Sequence, residues 1–415
     1  MSLLDRRGVI LVFLVCAFCY FLSTLLRVVT ATIAPQLTSE FSLGAGALGL
    51  LSGAYFLGFT LTQLPLGHWL DKYGPRTILT RFLVLAILGT LLFAWAQGLT
   101  SLFAARLLAG IGLSACLMAP LAGYRRWLDG PMQLRANAWM LMTGSLGMVA
   151  ATLPVQWLLP VTGWRTLFVL LAILMALGMV LVLRVLPAWP SAAAASAGQG
   201  SARGGLRAVW THPQFIHYIP IALINYGAMT ATQTLWAGPW LSHVAGFTPE
   251  QSAQGMFIIN LLMLLAFWLW GLMMPRLIRA GIEVESMIRK GLPVSMALLL
   301  LVILGGSSLG RWTPWLLAAF CVTSTVVSLA QPILTQRLPV HLAGRSLTSF
   351  NLLVFAGVFL IQSGVGRLVD ALQQRGWMLA DAYRGAFGVL LAACVLSYLL
   401  FLWYKPGRAE VSSAE

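Results

Sequence analysis

The sequence predicts an all-α integral membrane protein of twelve transmembrane helices, arranged as two pseudo-symmetric six-helix bundles. Three observations predict it. Of 415 residues, 59% are hydrophobic and 9% charged, more apolar surface than a soluble core could hide. Long apolar runs alternate with short polar hairpins along the whole chain. Lys and Arg collect in alternate hairpins, as they do where one side of a membrane retains positive charge.

The runs fall at 9–34, 46–69, 78–97, 101–122, 137–159, 166–187, 213–241, 253–274, 290–306, 312–334, 345–369 and 384–404, each long enough to span. The first follows Asp5-Arg6-Arg7 with no small-residue cleavage site behind it, so it reads as a span and not as a leader. Pro65, Pro120, Pro154, Pro220 and Pro332 lie inside runs, where neighbouring helices tolerate them. Nineteen of the 26 Lys and Arg fall in segments on one side, Lys72, Arg76, Arg125, Arg126 and Lys405 among them; four, including Arg165 and Arg311, fall on the other. Both termini are therefore expected in the cytoplasm, with the bacterial cytoplasmic (inner) membrane as the location. The net charge of +15 reflects this topology. Because it is spread over hairpins and not gathered on one soluble face, it does not indicate nucleic-acid binding.

The Ser-Ala-Ala-Ala-Ala-Ser-Ala-Gly-Gln-Gly-Ser stretch reads as a flexible linker. It divides the chain into an N-terminal bundle at 1–187, a cytoplasmic linker at 188–212 and a C-terminal bundle at 213–415. Faint repetition supports two halves: Pro35 and Gly67 match Pro239 and Gly271 at an offset of 204, and Phe41 and Gly49 match Phe247 and Gly255 at 206. Cys16, Cys19, Cys116, Cys321 and Cys394 all lie in apolar runs and read as small buried hydrophobes. No cofactor or metal site is expected. Nor is an enzyme, since the chain has no His-Glu-x-x-His, no Gly-x-Ser-x-Gly and no phosphate-cradling glycine loop.

Between the second and third spans stands Gly-His-Trp-Leu-Asp-Lys-Tyr-Gly-Pro-Arg, residues 67–76. Gly67 lies one helical turn before Asp71 on the same face, so a neighbouring helix could approach there and offer its N-terminal N–H groups to the acid. With Gly67, Asp71, Lys72, Gly74 and Arg76 in place, this hairpin resembles the signature loop of the major facilitator superfamily of transporters. Arg106 with Gly110, Gly112 and Pro120, and the Gly163-Trp164-Arg165 turn, extend the likeness over essentially the whole chain. Tyr20, Arg27, Pro35, Phe41 and Tyr55 look most like its bacterial organic-anion and sugar-phosphate permeases. The resemblance implies alternating access by rocking of two halves, with Asp71, Gly67 and Arg76 locking the cytoplasmic side and Arg106 acting in gating or coupling. The second half departs from the signature, with Pro275-Arg276 where Asp71-Lys72 would repeat.

Arg27 lies eight residues before Pro35, about 12 Å along a helix from that end. All eleven carboxylates can be placed outside mid-span, so this guanidinium has no evident protein counter-ion. Its planar fork matches carboxylate or phosphate, which makes a small organic anion the expected partner besides the lipid bilayer. The superfamily's cavity-lining helices imply further contacts from Tyr20, Asn225, Tyr226, Gln233, Thr323, Ser324 and Gln331, with Asn351 on a flanking helix. Arg367 stands three residues before Asp370, the spacing of a local ion pair. Trp236 and Trp240 read as interfacial anchors.

The expected function is secondary active transport by a monomeric carrier, with proton symport implied by the resemblance. Two other readings stay open. One is an efflux carrier for drugs or amphipathic metabolites, which an acidic cavity would favour; the other is a transporter-like sensor.

Overall fold

The computed structural model describes residues 5–188, 202–338 and 342–404, and every regular element among them is helical. Eight segments are long and apolar enough to cross a membrane. Two of these, Ala45–Ala94 and Val284–Leu334, have the length of two crossings and break midway. The first breaks at Gly74, whose φ of 78° only glycine adopts without strain; the second breaks at Gly306 and Gly310, with φ of 49° and 46°. The helices are α1 (Arg6–Phe41), α2 (45–73), α3 (75–94), α4 (99–127), α5 (130–162, interrupted at 151–152) and α6 (164–185). The second half holds α7 (213–243), α8 (Pro249–Arg279), α9 (Val284–Gly305), α10 (313–337), α11 (Ala343–Gln374) and α12 (Leu379–Trp403). α5 and α7 are not among the eight apolar segments, yet they occupy the places expected for the fifth and seventh spans.

Capping follows the sequence. Asp5 accepts from Gly8 N at 2.9 Å to start α1, and Asp129 accepts from Met132 N at 2.9 Å to start α5. The expected linker lies partly outside the described residues. Its described remainder is not irregular: Ala202–Trp210 forms a helix, and the Trp210 ring meets Phe215 at 5.2 Å.

Glycines set how closely the helices pack. A Cβ at Gly58 would sit 2.5 Å from Leu107 O, one at Gly89 would sit 2.5 Å from Ala109 N, and one at Gly110 would collide with Tyr55 O. α2, α3 and α4 thus touch backbone to backbone, the association small residues allow in lipid. α5 meets the α1 backbone in the same way at Gly147, and α11 meets α7 at Gly357, whereas Gly144 makes room for the Tyr20 ring.

The halves meet mainly along α2 and α11, which run antiparallel. Gly46 N donates to Asp370 Oδ2 at 2.9 Å, a Cβ at Gly49 would collide with Gln362 O, and one at Gly53 would sit 2.9 Å from Phe359. Midway, Phe355 meets Phe59 at 5.1 Å and Phe56 at 6.4 Å. Beyond that point, towards the basic end, no hydrogen bond, ion pair or ring contact between described residues joins the halves, and Asp71, Lys72 and Tyr73 are exposed. Among the described residues the contacts between the halves run from this middle point to the less basic end, which is the closed end of the molecule.

Two expectations are corrected by the packing. Trp236 and Trp240 are fully buried, with rings against Tyr383 and Phe387, and are not interfacial anchors. Asp370 caps the start of α2, so it forms no ion pair with the exposed Arg367. Backbone contact at Gly110 predicts that Gly110→Leu lowers stability by about 1–3 kcal/mol. Gly271→Ala, where a Cβ would meet open space, should not lower it. Melting temperatures of both variants in detergent check the contrast.

Candidate functional site

Arg27 lies at the level where the seam between the halves ends. It is part-buried on α1, its guanidinium 5.2 Å from the Phe59 ring, 5.9 Å from Phe56 and 6.0 Å from Phe355. Phe56 and Phe59 share one face of α2 by their spacing of three, and Phe355 comes from α11, so both halves build the cage. Aromatic faces attract a cation without neutralising it. Arg27 Nε is buried without a hydrogen-bond partner, and no described residue forms an ion pair with this side chain. The described carboxylates all lie at helix ends or in loops. What the cage offers chemically is an uncompensated, planar, hydrogen-bonding cation walled by flat apolar rings.

Arg106 supports it from behind. Fully buried on α4, it donates from Nη1 to Leu26 O at 2.7 Å, and its guanidinium lies 4.8 Å from the Tyr55 ring. Tyr55 in turn donates to Ser23 O at 2.8 Å. Both bonds grip the α1 backbone within four residues of Arg27, so α2 and α4 fix the height at which Arg27 projects. Arg106 Nε and Nη2 have no hydrogen-bond partner, which makes a second buried cation without a neighbouring acid.

The other expected contacts divide. Tyr20 packs against Gly144 of α5, and Tyr226 is part-buried on α7 between two π-helical turns, Ile221–Asn225 and Thr232–Trp236. Such turns carry an extra residue and rotate the faces around them. Gln233 donates to Asn260 Oδ1 at 3.1 Å, and its amide also meets Met148 S across the seam at 3.9 Å. Gln331 donates to Asn351 Oδ1 at 2.8 Å, joining α10 to α11. Asn225 turns the other way and bonds Ser397 and Cys394 O on α12, so its amide is engaged within the bundle. Thr323 bonds its own helix at Ala319 O, and Ser324 is buried. The aromatic cage is what sequence reasoning missed. Phe56, Phe59 and Phe355 read as ordinary core residues until folding brings them to one cation.

The residues expected to gate make few contacts with one another among the described residues. Gly67 has open space where a close helix approach was expected, and Asp71 has no hydrogen bond or ion pair among the described residues. Arg76 donates to Leu183 O at 2.6 Å, at the end of α6. Gly74 supplies the left-handed turn that makes so short a hairpin possible. Two cavities, of about 450 Å³ beside Arg384 and about 330 Å³ beside His243, open at the closed end. Neither is lined by Arg27.

Long apolar helices in two bundles, with a part-buried cation between them, define a multi-pass membrane protein. The chain belongs to the Major Facilitator Superfamily, whose family model matches residues 16–362. Its relatives include the 4-hydroxybenzoate transporter PcaK of Acinetobacter baylyi, 27% identical over 39% of this chain and 35% of that protein. Another is a probable chloroplastic anion transporter of Oryza sativa subsp. japonica, 28% identical over 38% of this chain and 27% of that one. The chain thus matches about a third of the length of these relatives. The fold is that of solved transporters, among them a bacterial homologue of the human lysosomal transporter Spinster, inward-facing and unoccupied. It aligns at a TM-score of 0.74 with 17% identity, over 98% of this chain and 100% of that one.

The clamp on α1 predicts that Arg106→Lys, which keeps the charge but loses the planar face over Tyr55, destabilises the protein by about 1–2 kcal/mol. A native melting curve for that variant would exclude the clamp.

Proposed function

We propose that this transporter carries a small organic anion with a flat apolar body, and that Arg27 binds its carboxylate. The observation that carries the reading is the unpaired Arg27 guanidinium inside the cage of Phe56, Phe59 and Phe355. A carboxylate supplies the missing hydrogen-bond acceptors and the missing negative charge together. An aromatic ring attached to it fits against the phenylalanine walls, where offset or edge contacts are favourable. The names of the relatives, one for 4-hydroxybenzoate and one for anions, support the same class.

Transport proceeds by alternating access in this reading, as a monomer in the bacterial cytoplasmic membrane with both termini inside. The described conformation is then the inward-facing one. Proton symport belongs to the proposal through the family resemblance alone. Among the described residues no carboxylate lies in mid-span to relay that proton. Efflux of cationic drugs fits the site less well, because the cage presents a cation to them.

Isothermal titration of the purified protein with benzoate, 4-hydroxybenzoate and a cationic dye tests the reading. Removing one partner of a buried charge pair costs about 2–5 kcal/mol, so Arg27→Ala should weaken binding of the carboxylates at least about thirtyfold. Arg27→Lys, which lacks the planar fork, should also weaken it. Native affinity in both variants, or binding of the dye alone, would overturn the proposal.

A further inference from the structure

The seam between α2 and α11 is symmetric in a way the signature loop does not reveal. Asp370, near the end of α11, faces the start of α2: Gly46 N donates to its Oδ2 at 2.9 Å. The contact is shaped for the acid. A Cβ at Gly46 would sit 2.5 Å from Asp370 Oδ2, one at Gly44 would sit 3.1 Å from Oδ1, and one at Gly366 would collide with Ala45 O. Gly49 lies against Gln362, Gly53 against Phe359 and Phe56 against Phe355, so the two helices run antiparallel in steady register. Extending that register residue for residue towards the basic end places His68 opposite Ala343, where α11 begins, so Asp71 lies one turn past the start of α11 as Asp370 lies one turn past the start of α2. Each helix thus carries, near its end, an acid set one turn beyond the start of the other. In this conformation Asp370 is engaged and Asp71 is not.

We propose that Asp370 is the latch of the closed end, and that it alternates with Asp71 as α2 and α11 tilt about their phenylalanine crossing. A carboxylate at a helix N-terminus accepts from free N–H groups and opposes the positive end of the helix dipole. Only one of two such contacts can form while the helices are inclined to each other. The crossing point, Phe56 and Phe59 on Phe355, is also the wall around Arg27, so the pivot and the cage share the same side chains. The latch does not depend on which solute is carried, and its test uses the protein without solute.

Spin labels at Gln97, exposed in a loop, and Ser307, exposed in a short 3-10 helix, both at the closed end, report its width by pulsed electron paramagnetic resonance in lipid nanodiscs. The five native cysteines are buried and stay unlabelled. Asp370→Asn and Asp370→Ala should raise the ratio of long to short distances by about fivefold to thirtyfold, the range expected for a charge at a helix end. Gly46→Ala, which keeps the acid but pushes it off Gly46 N, should shift the ratio in the same direction. Asp71→Asn should lower or preserve the ratio. Gly366→Val, which wedges the seam mechanically, gives the open reference distance. Native distributions in both Asp370 variants, or equal opening by Asp71→Asn, would overturn the proposal.

Discussion

In hydrocarbon no hydrophobic force presses helices together, so the close approach of α2 to α3, α4 and α11 depends on glycines that let backbones touch. Gly58, Gly89 and Gly110 fix the N-terminal bundle as one unit, and Gly357 does the same between α7 and α11. The same device, at Gly46, Gly49 and Gly366, joins the two units along the outer part of the α2–α11 seam. What differs is the ending. Inside the bundles the glycine contacts are continuous, whereas the seam gives way at the phenylalanine crossing. The glycine contacts therefore run through each half, and between the halves they end at the phenylalanine crossing.

That separation places the charges. Arg106 is held within the N-terminal unit by Leu26 O and the Tyr55 ring, and it stays buried whichever way the seam parts. Arg27 belongs to the same unit, but one ring of its cage, Phe355, belongs to the other. In the proposed rocking of the halves its surroundings would change. A charge whose environment depends on conformation is one through which a bound solute can favour one conformation over another.

Much of this was legible in the chain. Apolar run length and the distribution of Lys and Arg gave the spans, and the Gly67–Arg76 hairpin gave the family. Arg27 stood out because no acid could reach it. The cage was not legible, since Phe355 and Phe59 are separated by most of the chain and each looks like core on its own. Asp370 was misread for a related reason: its local neighbour Arg367 made an ion pair plausible, while its real partner, the start of α2, comes from the other half of the molecule. Trp236 and Trp240 were misread because tryptophan near a helix end is ordinarily at the lipid surface, and the π-helical turn at Thr232–Trp236 is not visible in composition. Long-range contacts decided each of these, and periodicity reports only local ones.

The bare guanidinium of Arg27 has an electrical consequence. In a carrier open to one side, the aqueous path brings the site close to the electric potential of that side. Rocking an empty site from one side to the other therefore moves a positive charge through most of the membrane field, work of about 2.3 kcal/mol per elementary charge for each 100 mV. In the proposed carrier a bound monovalent anion cancels that charge and a co-transported proton restores it, so a resting potential would act on the empty protein always and on the loaded one only when a proton travels with the solute.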